Sequence, residues 1–456
     1  RNTIAKKEGL MLSKQEVESL IQRYPKFADT FLGLQYAPRL PKGMLRETRD
    51  AIGMARKFID KEISANSLEL ERKTFEDPDF LPWDLVKKAN QWGFYTMWIP
   101  KIFGGKGMNM PSMSYFLEDI GAACLGIGNV IGVHYLGVAG ITASGNVRVA
   151  NRVLREVAWG EKTGDPCIIA LAITEPSAGT DVEEVDLVDK GKITCHAKRV
   201  EGGYVFNGTK IFISMGHLSQ WTVLYGFTDL KKPSETMVAA VVKQGAKGFS
   251  IVRQENKMGQ RVCPASELAF EDCFVPDDQI LIDAERARTF SNKPYRKIVQ
   301  KYIDYIVSVT RAGVGSWGAG AARGAFEEAL KFAARTKVGG KLMINQEWAQ
   351  CMLAEMYKNM MLARLAYMEA NYANSHCGIY EQLQLKPVFY YLKYMPRIYF
   401  DKVVQPLLNY DASTWLMSKA SLDMQPVESQ RCTSGWASLA KFTGTDYGVK
   451  NAQMAL

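Results

Sequence analysis

The sequence predicts an α+β multidomain protein in three consecutive parts: a helical domain, a β-barrel-like domain and a helical bundle. Three observations lead there. Apolar residues recur at helical spacing up to about residue 167, short β-branched and aromatic runs fill about 168–290, and long helical patterns return from about 291. A chain of 456 residues also exceeds one ordinary core, which favours two or three domains.

Taken in order, residues 1–45 read as an N-terminal extension. In the helical domain, 46–167, the stretch from Leu45 to Leu70 spaces apolar residues helically with charges between them. Leu81 to Trp92 forms a second amphipathic set, and Pro100 with Gly104-Gly105-Lys106-Gly107 breaks the pattern into a loop. Ile120 to Val147 carries no formal charge and is long enough to span a bilayer. Its seven glycines, with Asn129, His134, Thr142 and Asn146, suit two short buried helices better, so no integral membrane segment is expected.

The β domain, 168–290, collects short runs at 168–174, 204–206, 210–214, 221–227, 237–242 and 249–252, punctuated by Asn207-Gly208, Gly245 and Pro276-Asp277. In the bundle, 291–456, Arg311 to Arg335 is rich in Ala and Gly, which lets neighbouring helices approach closely. A second long pattern runs from Gln346 to Ala373, and a basic insertion at about 285–301 precedes the first helix.

The composition, 47% hydrophobic and 23% charged, is that of a folded globular chain. The net charge of +9 is dispersed without a Lys/Arg block, which favours anionic ligands such as a dinucleotide or CoA ester and does not indicate nucleic acid. Eight scattered cysteines without a C-x-x-C pair, and four separated histidines, give no metal-ligand spacing. Reduced thiols and the lack of a signal-type apolar core in Arg1 to Leu10 lead to an expected bacterial cytosolic location, with the mitochondrial matrix as the alternative.

The most informative segment is Ala170-Leu-Ala-Ile-Thr-Glu-Pro-Ser-Ala-Gly-Thr-Asp181, a strand entering a Pro/Gly turn that offers hydroxyls and backbone N–H groups. Alone it reads first as a polar turn after a strand. Together with Asn207-Gly-Thr-Lys-Ile-Phe-Ile-Ser214, Leu268 to Pro276, Arg311 to Leu330 and Leu353-Ala-Glu-Met356, in this order, it resembles the acyl-CoA dehydrogenase family. Phe103 to Gly107 adds a weaker match.

The resemblance implies FAD, with Leu171, Ile173, Thr174, Gly179, Thr180, Phe212 and Ser214 on the cofactor, and Arg335, Gln346 and Thr445 reaching it, the first two from a neighbouring subunit. Thr336 is the alternative occupant of the Arg335 position. It places Thr180, Ser308, Arg311 and Gly444 on a CoA thioester. It also implies an electron-transferring flavoprotein as redox partner and a homodimer or homotetramer, with a hetero-oligomer as the alternative.

The family's reaction takes an α-proton from the thioester with a carboxylate while hydride goes to the flavin. The sequence departs from the family here. Thr443 stands where the usual Glu is expected, and Thr310 fills the second known position. A relocated base is therefore expected, with Asp446, Asp304 and His134 as candidates, each of which also has an ordinary structural reading. Three functions remain open: dehydrogenation of an acyl-CoA, possibly cyclic or unusual in its acyl group; a flavin-binding subunit without activity of its own; or an enoyl-CoA reductase or oxidase on the same fold.

Overall fold

The computed structural model describes residues 41–375, 383 and 385–456, with Gln15 and Ser19. The expected extension 1–45 therefore lies outside the described residues except at Gln15, Ser19 and 41–45.

Seven helices lead the described chain: α1 Lys42–Phe58, α2 Ser67–Glu76, α3 Trp83–Gln91, α4 Pro111–Ala123, α5 Leu125–Gly132, α6 His134–Ala143 and α7 Val147–Thr163. The apolar stretch tested for a membrane span is α5 and α6, separated at Val133, and 83% of its most apolar window is buried inside the protein. Helix α7 has both ends written in the sequence. The Asn146 side chain accepts from Val149 N at its start, and Gly164 (φ 82°) takes the left-handed turn at its end.

The middle segment is an eight-stranded mixed sheet: β1 Ile169–Ala172, β2 His196–Val200, β3 Gly203–Ser214, β4 Trp221–Phe227, β5 Met237–Lys243, β6 Phe249–Gln254, β7 Ala265–Pro276 and β8 Ile280–Ile282. The strand order is β6-β7-β3-β2-β4-β5-β8, and β1 runs parallel to β4. The two runs expected at 204–206 and 210–214 are one long strand, β3, paired with β7 and interrupted by two register shifts. Strand β2 escaped the pattern reading because its face is mostly polar and exposed.

After α8 Ala284–Phe290 comes α9, Tyr295–Arg335, a helix of 41 residues. The expected basic insertion is thus α8 and the first turns of α9. A two-strand hairpin follows, β9 Lys337–Val338 and β10 Lys341–Leu342, turned by Gly339 and Gly340 at φ 59° and 79°. Two successive positive φ values make this a hairpin turn that glycine suits best. Helix α10, Glu347–Ser375, returns along α9.

Residues 385–424 form an arm of short helices, including α11 Lys386–Tyr394 and α12 Asp411–Ser418, laid over the first helical domain. Polar clips hold it: Lys393 Nζ to Glu47 (2.9 Å), Arg155 to Asp401 (2.9 Å) and Arg148 to Asp411 (2.8 Å). The chain ends in α13, Val427–Ala455.

Helices α9 and α13 run parallel and touch backbone to backbone. A Cβ at Gly318 would lie 2.3 Å from Gly444 C, and one at Gly444 would lie 2.5 Å from Gly315 O. Close approach explains the small-residue run that the sequence displayed. A buried ionic cluster ties the first domain to the bundle. Glu118 accepts from Arg323 Nη1 (3.0 Å), Arg364 Nε (3.1 Å) and the Tyr367 hydroxyl, and Asp119 accepts from Arg323 Nη2 at 2.6 Å. The arginines hold the Glu118 carboxyl down at about 2 against the opposing effect of burial.

Candidate active site

The turn after β1 is fixed from below by one buried pair. Lys210 Nζ donates to Glu175 Oε1 (2.8 Å) and to Ile173 O (3.0 Å), and both side chains are fully buried. The other Glu175 oxygen accepts from Thr194 N (2.6 Å), Thr194 Oγ1 (2.9 Å) and Cys195 N (3.1 Å). Ile211 N donates to Thr174 O (3.0 Å), and Glu175 and Ala178 bridge each other across the turn. The peptide groups from 173 to 175 are thereby held against β3. Glu175 and Lys210 stand inside the quoted motifs, but sequence reasoning gave them no role, because partners 35 residues apart leave no periodic signal.

Above this pair, the second register shift in β3 turns Phe212 outward. It is 59% exposed at φ 57°, and Met215 has φ 61°. Holding a phenylalanine in the left-handed region costs roughly 1–3 kcal/mol, and such strain concentrates where a side chain must be aimed at a ligand. On β1, the turn after it and the end of β3, Leu171, Ile173, Thr174 and Ser214 are each half-buried, with Gly179 and the exposed Thr180 in the turn. The hydroxyls of Thr174, Thr180 and Ser214 make no hydrogen bond among the described residues.

Of the residues expected on the substrate, Thr180 is unengaged, whereas Arg311, Ser308 and Gly444 have partners within the protein. Arg311 binds Glu183 (3.0 Å), Glu184 (3.4 Å) and Ser438 Oγ (2.9 Å). Ser308 Oγ donates to Tyr305 O (3.0 Å), and Gly444 is pressed on Gly315. A small cavity of about 10 Å³, room for about one water, lies between Ile173, Val182, Glu183 and the α9 residues Ile303, Ile306 and Val307. Glu183 is the acidic residue lining it, and it too was given no role from the sequence.

The remaining candidates separate. Thr443, Thr445 and Asp446 lie in mid-α13; Thr445 Oγ1 donates to Lys441 O (3.0 Å) within its own helix, and Asp446 is exposed. Asp304 is buried on α9. His134 Nδ1 accepts from Ile169 N (3.1 Å) between Tyr95 and Tyr135, and burial lowers its pKa to about 3. It is a neutral link between α6 and β1. Arg335 is exposed at the end of α9, roughly 36 Å beyond Arg311 at ~1.5 Å per residue. Gln346 Nε2 donates to Val338 O (2.9 Å), which closes the hairpin.

A sheet with an outward aromatic and free hydroxyls, wedged between two helical domains, has the build of a flavoprotein oxidoreductase site. The comparisons agree. Models of the acyl-CoA dehydrogenase N-terminal, middle and C-terminal domains match residues 46–161, 170–273 and 301–380. The chain is 29% identical over 326 residues to acryloyl-CoA reductase (NADH) of Anaerotignum propionicum, covering 72% of this chain and 76% of that one. It is 30% identical over 314 residues to the caffeyl-CoA reductase-Etf complex subunit CarC of Acetobacterium woodii, covering 68% and 75%.

Among solved structures, butyryl-CoA dehydrogenase from Megasphaera elsdenii shares the fold at TM-score 0.59 and 18% identity, with 85% of this chain and 97% of that one aligned. The chain belongs to the acyl-CoA dehydrogenase family, and it is a flavoprotein oxidoreductase of that family.

Proposed function

We propose that the chain binds FAD against β1 and β3 and acts on an acyl-CoA thioester, with Glu183 as the proton-exchanging carboxylate. The observation that carries this reading is the set of unengaged hydroxyls of Thr174, Thr180 and Ser214 together with the outward Phe212. These residues fit a flat polar ring: Phe212 and Ile173 supply apolar faces, Thr174 and Ser214 hydrogen-bond its edge, and Gly179-Thr180 receives the phosphates. When bound, the flavin supplies the hydride acceptor or donor.

Glu183 shares the small cavity with Ile173 and sits 3.0 Å from Arg311. In the dehydrogenating direction it takes the α-proton as the Cα–Cβ double bond forms; in the reducing direction it returns that proton. Entry of a thioester requires Val182–Glu183 and α9 to part, since the cavity has room for about one water.

Reduction of an enoyl-CoA is the second reading, favoured by the two reductases among the relatives. An electron-transferring flavoprotein is the proposed redox partner, a reading supported by the Etf complex named for the second relative. A dimer or dimer of dimers is also proposed, because Arg335 stands roughly 36 Å along α9 from Arg311, so its reaching a cofactor at β1 and β3 would call for a neighbouring subunit.

Anaerobic titration of the purified holoprotein with linear and cyclic acyl-CoA thioesters, read in the flavin band, tests the proposal. Dehydrogenation predicts bleaching by at least one thioester and a loss of at least about 100-fold in the bleaching rate with Glu183→Gln. Reduction predicts instead that an enoyl-CoA reoxidises the reduced flavin, again slowed by Glu183→Gln. An unchanged rate in the variant removes Glu183 from the chemistry.

A further inference from the structure

A cavity of about 260 Å³ among the described residues does not contain any residue expected on the cofactor. It lies between the first helical domain and the arm at 385–424. Helix α6 divides it from the sheet. Gly137 and Gly140 press on Ile169 and Leu171 of β1, whereas Tyr135, Val138, Ala139 and Thr142, on the opposite side of that helix, line the cavity. From the arm, Phe389, Leu392 and Met417 complete the wall.

We propose that this cavity is a second binding site, separate from the flavin face, for an apolar monocarboxylate of about ten heavy atoms. The size follows from the volume: a 150 Å³ apolar cavity takes benzene, so this one accommodates roughly ten such atoms.

The apolar body follows from the wall, where most polar atoms are already engaged, the Ser421 hydroxyl excepted. Trp98 Nε1 donates to Ser112 Oγ (2.8 Å), the Tyr135 hydroxyl to Phe94 O, Thr142 Oγ1 to Val138 O (2.9 Å) and Asn146 Nδ2 to Ile280 O (2.9 Å). A ligand finds few hydrogen-bonding groups along this wall and is held there by burial.

The carboxylate follows from the rim. Lys393 is paired with Glu47 at 2.9 Å, but Lys101 donates to the Lys393 carbonyl, and no carboxylate lies within ion-pair distance of it among the described residues. A half-buried ammonium that contacts a carbonyl and no carboxylate favours an anion at the mouth: burial lowers the Lys101 pKa, the charge of Glu47 opposes this in part, Lys393 adds to it, and a bound anion would raise it. The arm that roofs the site is attached by ion pairs at its edge, so a ligand beneath it replaces packing that the described residues do not supply.

Calorimetric titration of the full-length protein with sodium octanoate, and with 1-octanol as the uncharged comparison, tests this. Saturable binding of one octanoate per chain is expected. Lys101→Met should weaken octanoate at least ten-fold and leave 1-octanol within two-fold. Ala139→Phe, or Met417→Trp from the arm side should the first variant fail to fold, should abolish both by filling the space. The proposal is overturned by absence of saturable octanoate binding, by binding that survives the filling variants, or by octanoate that shifts the flavin band and is displaced by a CoA thioester. Because the readout is heat of binding, the result stands whichever reaction the flavin face performs.

Discussion

At the scale of single residues, the site rests on the Glu175–Lys210 pair. One carboxylate oxygen and the ammonium fix backbone atoms of residues 173, 194 and 195, so the pair holds the turn on which a cofactor would lean. Removing one partner leaves a buried charge, which typically costs about 3–5 kcal/mol. Lys210→Met should therefore lower the unfolding free energy in urea by about that amount and reduce retained flavin. The double variant Glu175→Gln, Lys210→Met should recover part of the loss, because the amide oxygen still accepts from Thr194 and Cys195. Equal stability of the single variant and the parent would show that the pair holds nothing. The motif residues around the pair were legible in the sequence. The strain at Phe212 was not, since a positive φ at phenylalanine is imposed by the β3–β7 register shift and not by local preference.

At the scale of elements, the decisive contact is α9 on α13. The run of small residues from Ala312 to Gly320 announced a close helix approach, and Gly444 and Gly448 supply the other half. What the sequence could not reveal is that Thr443 to Asp446 would be internal to one continuous helix, five residues past the Ser438 that binds Arg311. Gly444→Ala should destabilise the protein by about 1–3 kcal/mol, measured by chemical denaturation, as its Cβ has only the Gly315 carbonyl to meet. Restoring a carboxylate with Thr443→Glu should not accelerate flavin bleaching by any thioester. A gain would return the base to that helix and displace Glu183.

For the whole molecule, two buried groups couple stability to pH in different windows. His134 has a folded pKa of about 3 against an ordinary 6.5, so the unfolded chain binds a proton there that the folded chain refuses. Its contribution is complete above about pH 6.5 and is lost as pH falls towards 3, at up to about 1.4 kcal/mol per unit. Glu118, held at about 2 by its arginines, contributes fully above about 4.5 and loses that contribution only as pH falls towards 2. Urea midpoints should therefore decline from pH 6.5 to 4.5, and His134→Gln should flatten that range. A parallel decline in the variant would assign the slope to other groups.

The sequence by itself determined the three-part order, the strand-to-turn motif, the two glycine-broken helices α5 and α6, and the absence of a carboxylate at position 443. All of these are local: they follow from periodicity, turn chemistry and residue identity within short windows. Only the tertiary structure decided that Glu175 meets Lys210, that His134 is spent on Ile169, that Glu183 faces α9, and that an arm far along the chain roofs a cavity on the first domain. Each is a pairing of residues distant in sequence, set by how the sheet and helices pack, and a single chain carries no periodic trace of such a pairing.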